Sequence, residues 1–329
     1  MLDRDVTHGV DNDGCVLRRW AALILTAGQE RSLPIKINAR RDLRAVIFSE
    51  NGEHLLSGGP YQDVQVWRVQ DGQRVATIEA KNVVCLAVSK NEKWIAGGIS
   101  WGEVFVCDAE TYKPVWKQER DYGDINAVDF SLDSTKLVSG SWNRTATIWD
   151  VARGEKLRTL RHKQGLIAAK FSSDSGQIAT ATYKGSVQVW DSNNGQLLVD
   201  IPVTVTSSYN NGLLWFNDHV FVVSGGKIKQ LNASTGSTVY EWPVPNSDVH
   251  SCIAVPRHGK FIAYSASRSV TFWDTSTHLQ IGLVKHTEYV CSIAPSPDNW
   301  SLAIGGCYGT IIAEGLSHIT VLSHITVST

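Results

Sequence analysis

The stretch KLVSGSWNRTATIWDVARGEKLRTL, residues 136–160, alternates short apolar runs with turn-forming residues. Val, Ile, Thr and aromatic side chains favour strands, whereas Gly, Asn, Asp and Ser favour the turns between them. With the preceding run, the stretch predicts four consecutive strands at Ile125–Ser131, Lys136–Ser141, Thr145–Trp149 and Lys156–Leu160. No part of this unit keeps helical spacing over three turns, so it is predicted to be a four-stranded sheet.

The same unit recurs along the chain. Its ending, Trp149-Asp150, has Trp counterparts in three other units, and steps of about 41 residues reach three more degenerate copies. The seven anchor residues, 40 to 42 positions apart, are Trp67, Cys107, Trp149, Trp190, Leu231, Trp273 and Ala313. A turn upstream of each anchor keeps the same spacing, from Asn51-Gly52 in the first unit to Asp298-Asn299 in the seventh.

The strands of a unit differ in polarity. The first two are apolar on both faces, while the fourth is mixed, as in Lys156-Leu157-Arg158-Thr159-Leu160. A sheet must be apolar on both faces when it lies between two other sheets, and a strand at its outer edge can face water. The units are therefore predicted to be radial blades that close into a ring and leave only short outer edges.

Composition and charge indicate a globular chain and argue against two classes of partner. Of the 329 residues, 43% are hydrophobic and 19% are charged, and the formal net charge is −1. This balance gives no general attraction to phosphate backbones or anionic lipids, and no apolar run approaches the roughly 20 residues of a membrane span. We therefore expect neither a nucleic acid nor a membrane as a partner.

The six cysteines indicate a reducing compartment. They lie at positions 15, 85, 107, 252, 291 and 307, form no C-x-x-C pair, and have intervals that fit no zinc or disulfide framework. We expect free thiols in a cytoplasmic protein, with the nucleus as an alternative location. Cys85 and Cys252 occupy equivalent apolar positions of the repeat and are expected to be buried.

The Trp-Asp endings, the period near 41 residues and the Asp-Gly-like turns resemble the WD40 repeat family over residues 32–314. The resemblance implies an all-β fold, namely a seven-bladed β-propeller of four-stranded antiparallel blades. Residues 1–31 then form a non-repeat N-terminal segment, expected to be a short helix with disorder, and residues 315–329 form a C-terminal tail.

In the WD40 family, a hydrogen-bonded set of Trp, Ser or Thr, Asp and His ties the strands of a blade together. The resemblance implies such structural roles for Trp67, Trp149, Trp190, Trp273, Ser139, Thr180, His162 and His286. No unit completes the set, because Asn143 replaces the Asp in the third unit, Lys184 replaces it in the fourth, and the seventh unit lacks the Trp. We therefore expect stability to depend on packing more than on polar networks.

Two segments compete to complete the last blade. The spacing predicts an outer strand at Leu33–Ile37, before the first unit, and another near Thr320–Ile325, after the seventh. Family precedent favours the N-terminal segment, so Ser32–Asn38 is expected to close the ring, with Pro34 tolerated on an outer edge. Deletion of residues 1–38 should then lower the thermal stability sharply.

The sequence contains no recognisable catalytic or cofactor motif. It has no G-x-S-x-G, H-E-x-x-H, G-x-x-x-x-G-K or G-x-G-x-x-G pattern, and its ten His residues are dispersed. We expect no enzymatic activity, no cofactor and no metal site.

An aromatic residue recurs between the second and third strands of five units. The series is Tyr61, Trp101, Trp142, Tyr183 and Tyr308. In proteins that resemble the WD40 family, these tips surround the central channel on one face of the ring, and aromatic side chains are enriched in interface hot spots. Arg40, Arg41 and Arg144 are expected on the same face. Lys184 flanks Tyr183, which is expected to be the most exposed ring, followed by Trp142.

The leading functional hypothesis is a non-catalytic, monomeric scaffold that binds a protein or peptide on this aromatic-rimmed face. The rings could instead fill the space that the missing Asp residues leave. Twelve Trp residues also allow a lectin-like propeller that binds carbohydrate, which would need one ring per blade with paired Asp or Asn. A sensor propeller from a larger signalling NTPase and a hydrolase with channel carboxylates are further alternatives.

Overall fold

In the computed structural model, the described residues are 35–39, 42–118, 122–203, 212–245 and 251–316, and they belong to the compact unit Pro34–Thr329. These residues form 28 strands and no helix. The strands make seven antiparallel sheets of four strands each. The N-terminal segment 1–31 lies outside the described residues, as does the tail from residue 317 onward, so both segment predictions stay predictions.

The chain begins with β1 (Ile35–Asn38). Blade 1 comprises β2 (Ala45–Phe48), β3 (His54–Gly59), β4 (Gln62–Arg68) and β5 (Arg74–Ile78). Blade 2 comprises β6 (Val83–Val88), β7 (Trp94–Ile99), β8 (Glu103–Asp108) and β9 (Pro114–Gln118). Blade 3 comprises β10 (Ile125–Phe130), β11 (Lys136–Ser141), β12 (Thr145–Asp150) and β13 (Lys156–Arg161). Blade 4 comprises β14 (Leu166–Phe171), β15 (Gln177–Thr182), β16 (Val187–Asp191) and β17 (Leu197–Ile201).

The last three blades follow the same order. Blade 5 comprises β18 (Leu213–Phe216), β19 (His219–Ser224), β20 (Lys227–Asn232) and β21 (Thr238–Pro243). Blade 6 comprises β22 (Ile253–Ala254), β23 (Phe261–Ala266), β24 (Ser269–Asp274) and β25 (Gln280–Lys285). Blade 7 comprises β26 (Val290–Pro295), β27 (Ser301–Gly306), β28 (Thr310–Gly315) and the N-terminal strand β1.

The turn between the first and second strands is built by a Ser side chain. In blade 3 the Ser131 hydroxyl donates to Asp133 Oδ1 at 2.6 Å and accepts from the Lys136 amide at 2.9 Å, while Ser134 has a φ of 60°. The same Ser arrangement recurs at Ser49, Ser89, Ser172 and Ser296. The regular turn spacing in the sequence is therefore the spacing of a repeated hydrogen-bonded turn.

The turn between the third and fourth strands is capped by the Asp or Asn that follows the anchor. In blade 4, Asp191 Oδ1 accepts from the amides of Asn193 and Asn194 at 2.8 and 2.9 Å. Asp108, Asn232 and Asp274 do the same in their blades. In a Trp-Asp ending, the Trp therefore packs in the protein and the Asp caps the turn that follows.

The core lies between the blades rather than at one centre. The buried apolar side chains of the described residues fall into seven clusters, and each cluster combines residues of two neighbouring blades. In the cluster between blades 2 and 3, for example, Val106 packs with Leu137 and Trp149. Cys85 and Cys252 are buried in two of these clusters, as the repeat predicted.

The N-terminal strand closes the ring, which confirms the predicted closure. Strand β1 is antiparallel to β28, with Ile35 opposite Ala313 and Asn38 opposite Thr310. Ile37 is buried in the cluster between blades 7 and 1. Residues 32–34 of the predicted closing segment lie outside the described part of the chain.

Candidate functional site

One face of the ring carries the turn between the second and third strands of every blade, here called the tip turn. The loops that lead from one blade to the next lie on the same face, because antiparallel strands alternate in direction. Backbone hydrogen bonds join the two sets: the Trp142 amide donates to Asp124 O at 2.8 Å and the Tyr183 amide donates to Gly165 O at 2.9 Å. We call this side of the ring the tip face.

Three of the predicted rings have their backbone fixed by a side chain of an inter-blade loop. The amide of Tyr61 donates to Asn82 Oδ1 at 2.9 Å, and that of Trp101 donates to Asp124 Oδ1 at 3.0 Å. The corresponding bond in blade 7 joins the Tyr308 amide to Glu288 Oε2 at 2.9 Å. These tip turns are therefore ordered by bonds that do not involve the rings themselves.

The rings of the same three residues are the most exposed of the series. The exposed fraction is 79% for Tyr61, 68% for Trp101 and 67% for Tyr308. Tyr61 and Trp101 also have positive φ angles, 57° and 76°, in the region that Gly and Asn adopt most readily. Neither burial nor backbone preference explains an aromatic residue at these two positions.

The remaining two rings of the series pack against each other. The ring centroids of Trp142 and Tyr183 are 5.3 Å apart, and Lys184 Nζ lies 5.3 Å from the centroid of the Tyr183 ring. Tyr183 is only partly exposed because it also packs against the cluster between blades 4 and 5. The expectation that Tyr183 is the most exposed ring, followed by Trp142, was therefore wrong.

The aromatic series forms an arc and not a complete rim. The tip turns of blades 5 and 6 carry Gly225-Gly226 and Ser267-Arg268 instead of an aromatic residue. The inter-blade loops add two exposed rings that the sequence analysis missed, Tyr122 and Tyr289, and Arg268 Cζ lies 5.0 Å from the centroid of the Tyr289 ring. Both Tyr residues fall outside the tip-turn spacing, so the repeat gave no signal for them.

Cationic residues and a groove adjoin the arc. Arg144 and Lys184 are exposed on the tip turns of blades 3 and 4, whereas Arg40 and Arg41 lie outside the described residues. A groove of about 640 Å³ opens beside Tyr61, between the end of β1 and the outer strands of blade 1. Its lining residues are Asn38, Ala39, Tyr61, Gln62, Asp63, Gln65, Trp67, Arg74 and Lys81.

The Trp anchors of three blades form the bond that the resemblance implied. The indole N–H of Trp149 donates to Ser139 Oγ at 2.8 Å, and that of Trp190 donates to Thr180 Oγ1 at 2.9 Å. Trp67 makes the same bond to Ser57 at 2.8 Å. The equivalent positions of the second strands in the other four blades are Gly97, Val222, Tyr264 and Gly305.

The sixth blade departs from this pattern because Tyr264 occupies the Ser position. The indole N–H of Trp273 donates instead to Thr271 on its own strand, at 3.2 Å. The Tyr264 hydroxyl donates to Pro245 O at 2.9 Å. Trp273 therefore packs at the edge of a core cluster without tying two strands together.

His162 contributes to the bonded set of the fourth blade. Its Nε2 lies 2.9 Å from Thr180 Oγ1, and its ring meets Trp190 edge-on with centroids 5.0 Å apart. Lys184 stands where an Asp would accept from the other ring nitrogen, and Nδ1 is buried without a hydrogen-bond partner among the described residues. Burial lowers the pKa of His162 to about 4, so the ring is neutral at pH 7.

In the seventh blade, the second strand offers His286 no Ser or Thr hydroxyl for a hydrogen bond. The Ser position is Gly305, where a Cβ atom would come within 2.6 Å of Val46 in blade 1. His286 Nε2 consequently has no hydrogen-bond partner among the residues described, while Nδ1 accepts from the Glu288 amide at 3.0 Å. Glu288, which the sequence analysis did not single out, instead ties the loop to the tip turn through Tyr308 and Thr310.

The described residues contain no group of three or more His, Cys, Asp or Glu side chains arranged to hold a metal ion. Glu119, Asp121 and His250 lie outside that part of the chain. Among the described residues, there is no helix long and apolar enough to cross a membrane.

The closed ring of seven four-stranded blades makes this protein a seven-bladed β-propeller. The profile of the WD40 family, "WD domain, G-beta repeat", matches residues 113–150 and 154–191. Each matched segment ends at the Asp of a Trp-Asp pair and spans the outer strand of one blade with three strands of the next. The chain is thus a seven-bladed propeller with WD40 repeats at these two adjacent positions, which confirms the resemblance recognised from its sequence.

Several proteins are similar to parts of this chain. The chain is 26% identical to Transcription factor unc-37 of Caenorhabditis elegans over 117 residues, which cover 35% of this chain and 19% of that protein. It is 27% identical to COMPASS component SWD3 of Saccharomyces cerevisiae over 128 residues, 36% and 41% of the two chains. It is 26% identical to Anaphase-promoting complex subunit cdc20 of Dictyostelium discoideum over 189 residues, 54% and 36%. The matches thus span less than half of each relative.

Proposed function

We propose that this propeller is a non-catalytic scaffold that binds a protein segment on the aromatic arc of the tip face. The observation that carries the proposal is the placement of Tyr61 and Trp101. Each ring is largely exposed on a backbone that an aromatic residue adopts at a cost, so neither burial nor backbone preference accounts for it. Binding of a partner gives a reason to keep a large apolar ring there.

The tip turns are suited to binding because hydrogen bonds already fix their backbone. The amides of Tyr61, Trp101 and Tyr308 are already bonded to the inter-blade loops, so little backbone entropy is lost when a partner docks. Aromatic rings supply rigid contact area with few rotatable bonds. The groove beside Tyr61 adds polar side chains, among them Asn38, Gln62 and Arg74, that a bound segment can contact.

The names of two relatives support the same class of function. One is a COMPASS component and the other is an anaphase-promoting complex subunit, so both work as parts of protein complexes. We propose that this chain also acts within a protein complex, as a monomeric unit in the cytoplasm or nucleus, without a nucleic acid or membrane partner of its own.

Carbohydrate binding is the second candidate, because amide or carboxylate side chains stand beside three of the rings. These side chains are Asn82, Asp124 and Glu288. Each uses an oxygen to accept from the backbone of the tip turn, which leaves less capacity for a sugar hydroxyl. The tip turns of blades 5 and 6 also lack a ring, so the sites do not repeat around the propeller as in a lectin.

The test compares matched variants in a quantitative capture experiment. The full chain with Tyr61→Ala, Trp101→Ala and Tyr308→Ala should lose a defined set of co-purifying proteins while its circular dichroism is unchanged. The control variant carries Leu132→Ala and Leu279→Ala, which remove side chains of 57% and 59% exposure on the opposite face. That control should retain the whole set.

The strongest captured protein is then purified and titrated against the wild type and both variants. We expect at least tenfold weaker binding for the triple variant, which corresponds to about 1.4 kcal/mol or more. Equal affinity of all three proteins would contradict the proposed site. Binding of glycans on an array, lost in the triple variant while no protein is captured, would favour the carbohydrate alternative.

A further inference from the structure

Two thiols meet on the tip face of blade 7. Cys291 Sγ lies 2.8 Å from Cys307 Sγ, and both side chains are partly exposed. A disulfide bond is about 2.05 Å long, so the two sulfurs need to approach by only about 0.8 Å to form one. The spacing of 16 residues gave no signal in the sequence, because it matches no cysteine framework.

The strand pairing explains why the two residues meet. Val290 is opposite Gly306 and Ser292 is opposite Gly305, so Cys291 is the extra residue of a bulge in β26. Cys307 follows the last residue of β27, and its amide donates to Tyr289 O at 2.8 Å. Because backbone bonds hold both segments, the sulfurs stay close without any movement of the blade.

We propose that Cys291 and Cys307 form a reactive dithiol that low-molecular-weight disulfides, such as oxidised glutathione, convert to an intramolecular disulfide. The inference does not depend on the proposed binding function. It goes beyond the expectation of free thiols that the cysteine spacing alone suggested.

The geometry assigns different roles to the two thiols. Cys291 donates a hydrogen bond to Cys307, which lowers the pKa of Cys307 and favours its thiolate. The same bond, together with burial, raises the pKa of Cys291. Cys307 is therefore the attacking thiol and Cys291 the resolving thiol.

The exchange proceeds in two balanced steps. The Cys307 thiolate attacks one sulfur of oxidised glutathione, which breaks its S–S bond and releases one glutathione molecule as a thiolate that takes up the Cys307 proton. Cys291 then loses its proton and attacks the Cys307 sulfur of the mixed disulfide, which releases the second glutathione as a thiol. Two protein thiols are oxidised to one disulfide while one oxidised glutathione is reduced to two thiols.

The other described thiols are poor competitors. Cys85, Cys107 and Cys252 are each exposed by 2% or less. Burial raises the pKa of both Cys85 and Cys107 to about 12, so their thiolates are scarce at neutral pH. Cys15 lies outside the described residues, and a Cys15→Ser background removes it from the test.

The experiment incubates the folded full chain with oxidised glutathione, blocks the remaining thiols with N-ethylmaleimide and maps the peptides by mass spectrometry. Trypsin leaves both cysteines in one peptide, because no Lys or Arg follows Lys285, so chymotryptic cleavage after Trp300 separates them. We expect one disulfide that links the Cys291 and Cys307 peptides, reversible by dithiothreitol, while the three buried thiols become alkylated only after denaturation.

Two variants test the assigned roles. Cys291→Ser should leave a stable mixed disulfide of Cys307 with glutathione, and Cys307→Ser should react with oxidised glutathione at least tenfold more slowly than the wild type. The proposal is overturned if both thiols of the wild type stay reduced at equilibrium with excess oxidised glutathione, or if either pairs with a different cysteine.

Discussion

Two Tyr residues have nearly the same backbone angle but differ in how much their rings contribute to the core. Tyr61 and Tyr112 have φ angles of 57° and 58°, and both lie in turns. Tyr112 is partly buried and packs against the cluster between blades 1 and 2, so its ring contributes to the core. The ring of Tyr61 is 79% exposed and contributes little burial.

The first prediction concerns this pair. Tyr61→Asn should leave the free energy of unfolding unchanged or raise it by up to about 1 kcal/mol, because Asn adopts positive φ more readily. Tyr112→Asn should lower it by about 1 to 2 kcal/mol, since packing is lost. Urea unfolding followed by circular dichroism measures both. A clear destabilisation by Tyr61→Asn would mean that the ring serves the fold.

His162 makes stability depend on pH. Its pKa is about 4 in the folded protein and about 6.5 in the unfolded chain, so the unfolded chain binds more protons below pH 6.5. The stability that the neutral ring provides is present above pH 6.5 and is lost as the pH falls toward 4.

The second prediction follows from that sign. Between pH 7 and pH 4.5 the wild type should lose about 2 kcal/mol more unfolding free energy than a His162→Gln variant, which cannot titrate there. Urea midpoints at the two pH values provide the measurement, and His54→Gln, at the partly exposed first residue of β3, serves as the control. Identical pH slopes for the wild type and His162→Gln would contradict the assignment.

At the scale of elements, the single strand β1 decides whether blade 7 is complete. Without β1 the outer edge of β28 would present unpaired backbone groups, and the cluster between blades 7 and 1 would lose Ile37. Strand β1 has only four residues, and a buried side chain alternates with exposed ones along it. Its contribution therefore depends on few contacts and can be tested by single substitutions.

The third prediction compares two adjacent residues of β1. Ile37→Ser should lower the unfolding free energy by about 3 kcal/mol, because it removes a buried aliphatic side chain and buries a hydroxyl. Lys36→Ser changes an exposed neighbour on the same strand and should alter it by less than about 0.5 kcal/mol. Thermal unfolding reports both changes. Equal melting temperatures for the two variants would show that β1 is not needed for ring stability.

Element by element, the sequence predicted the strands well because each is short, β-rich and bounded by turn residues. In blade 3 the four predicted strands differ from the observed ones by at most one residue at an end. Closure by the N-terminal segment needed the family precedent as well, because the spacing alone allowed either end of the chain.

The candidate site was less predictable than the fold. The repeat located the five tip-turn rings, but their exposure depends on neighbouring blades, as the packing of Tyr183 on Trp142 shows. The Cys291–Cys307 pair was missed because Cys291 is the extra residue of a bulge and Cys307 lies just beyond the end of β27, so regular strand pairing does not predict their contact. Local sequence patterns do not encode contacts that arise from irregular pairing.

At the scale of the whole molecule, carboxylates in repeated turns make the propeller sensitive to acid. Hydrogen bonds from Ser hydroxyls lower the pKa of Asp133 and Asp174, and bonds from turn amides lower that of Asp108 and Asp191. The folded pKa of each group lies below its ordinary value of 3.8. These bonds therefore contribute stability above that pH, and it is lost as the pH falls through the folded values.

The fourth prediction is an acid transition shared by several blades. The urea midpoint should fall continuously from pH 5 to pH 3, and a double variant with Asp133→Asn and Asp174→Asn should show a shallower fall, because an amide oxygen accepts the same bonds without titrating. Unfolding by urea at steps of half a pH unit measures the slope. A slope equal to that of the wild type would exclude these turns as the cause.

The pairing of Ile35 with Ala313 across 278 positions also constrains how the protein is made. During synthesis β1 leaves the ribosome before the other described strands of the propeller, and its partner β28 is the last of them to emerge. At about 5 to 20 residues per second, about 15 to 60 seconds pass between the emergence of β1 and that of β28. Until then six blades can stack in order of appearance. Once β28 emerges, its free edge can pair either with β1 of its own chain or with β1 of a neighbouring nascent chain on the same messenger.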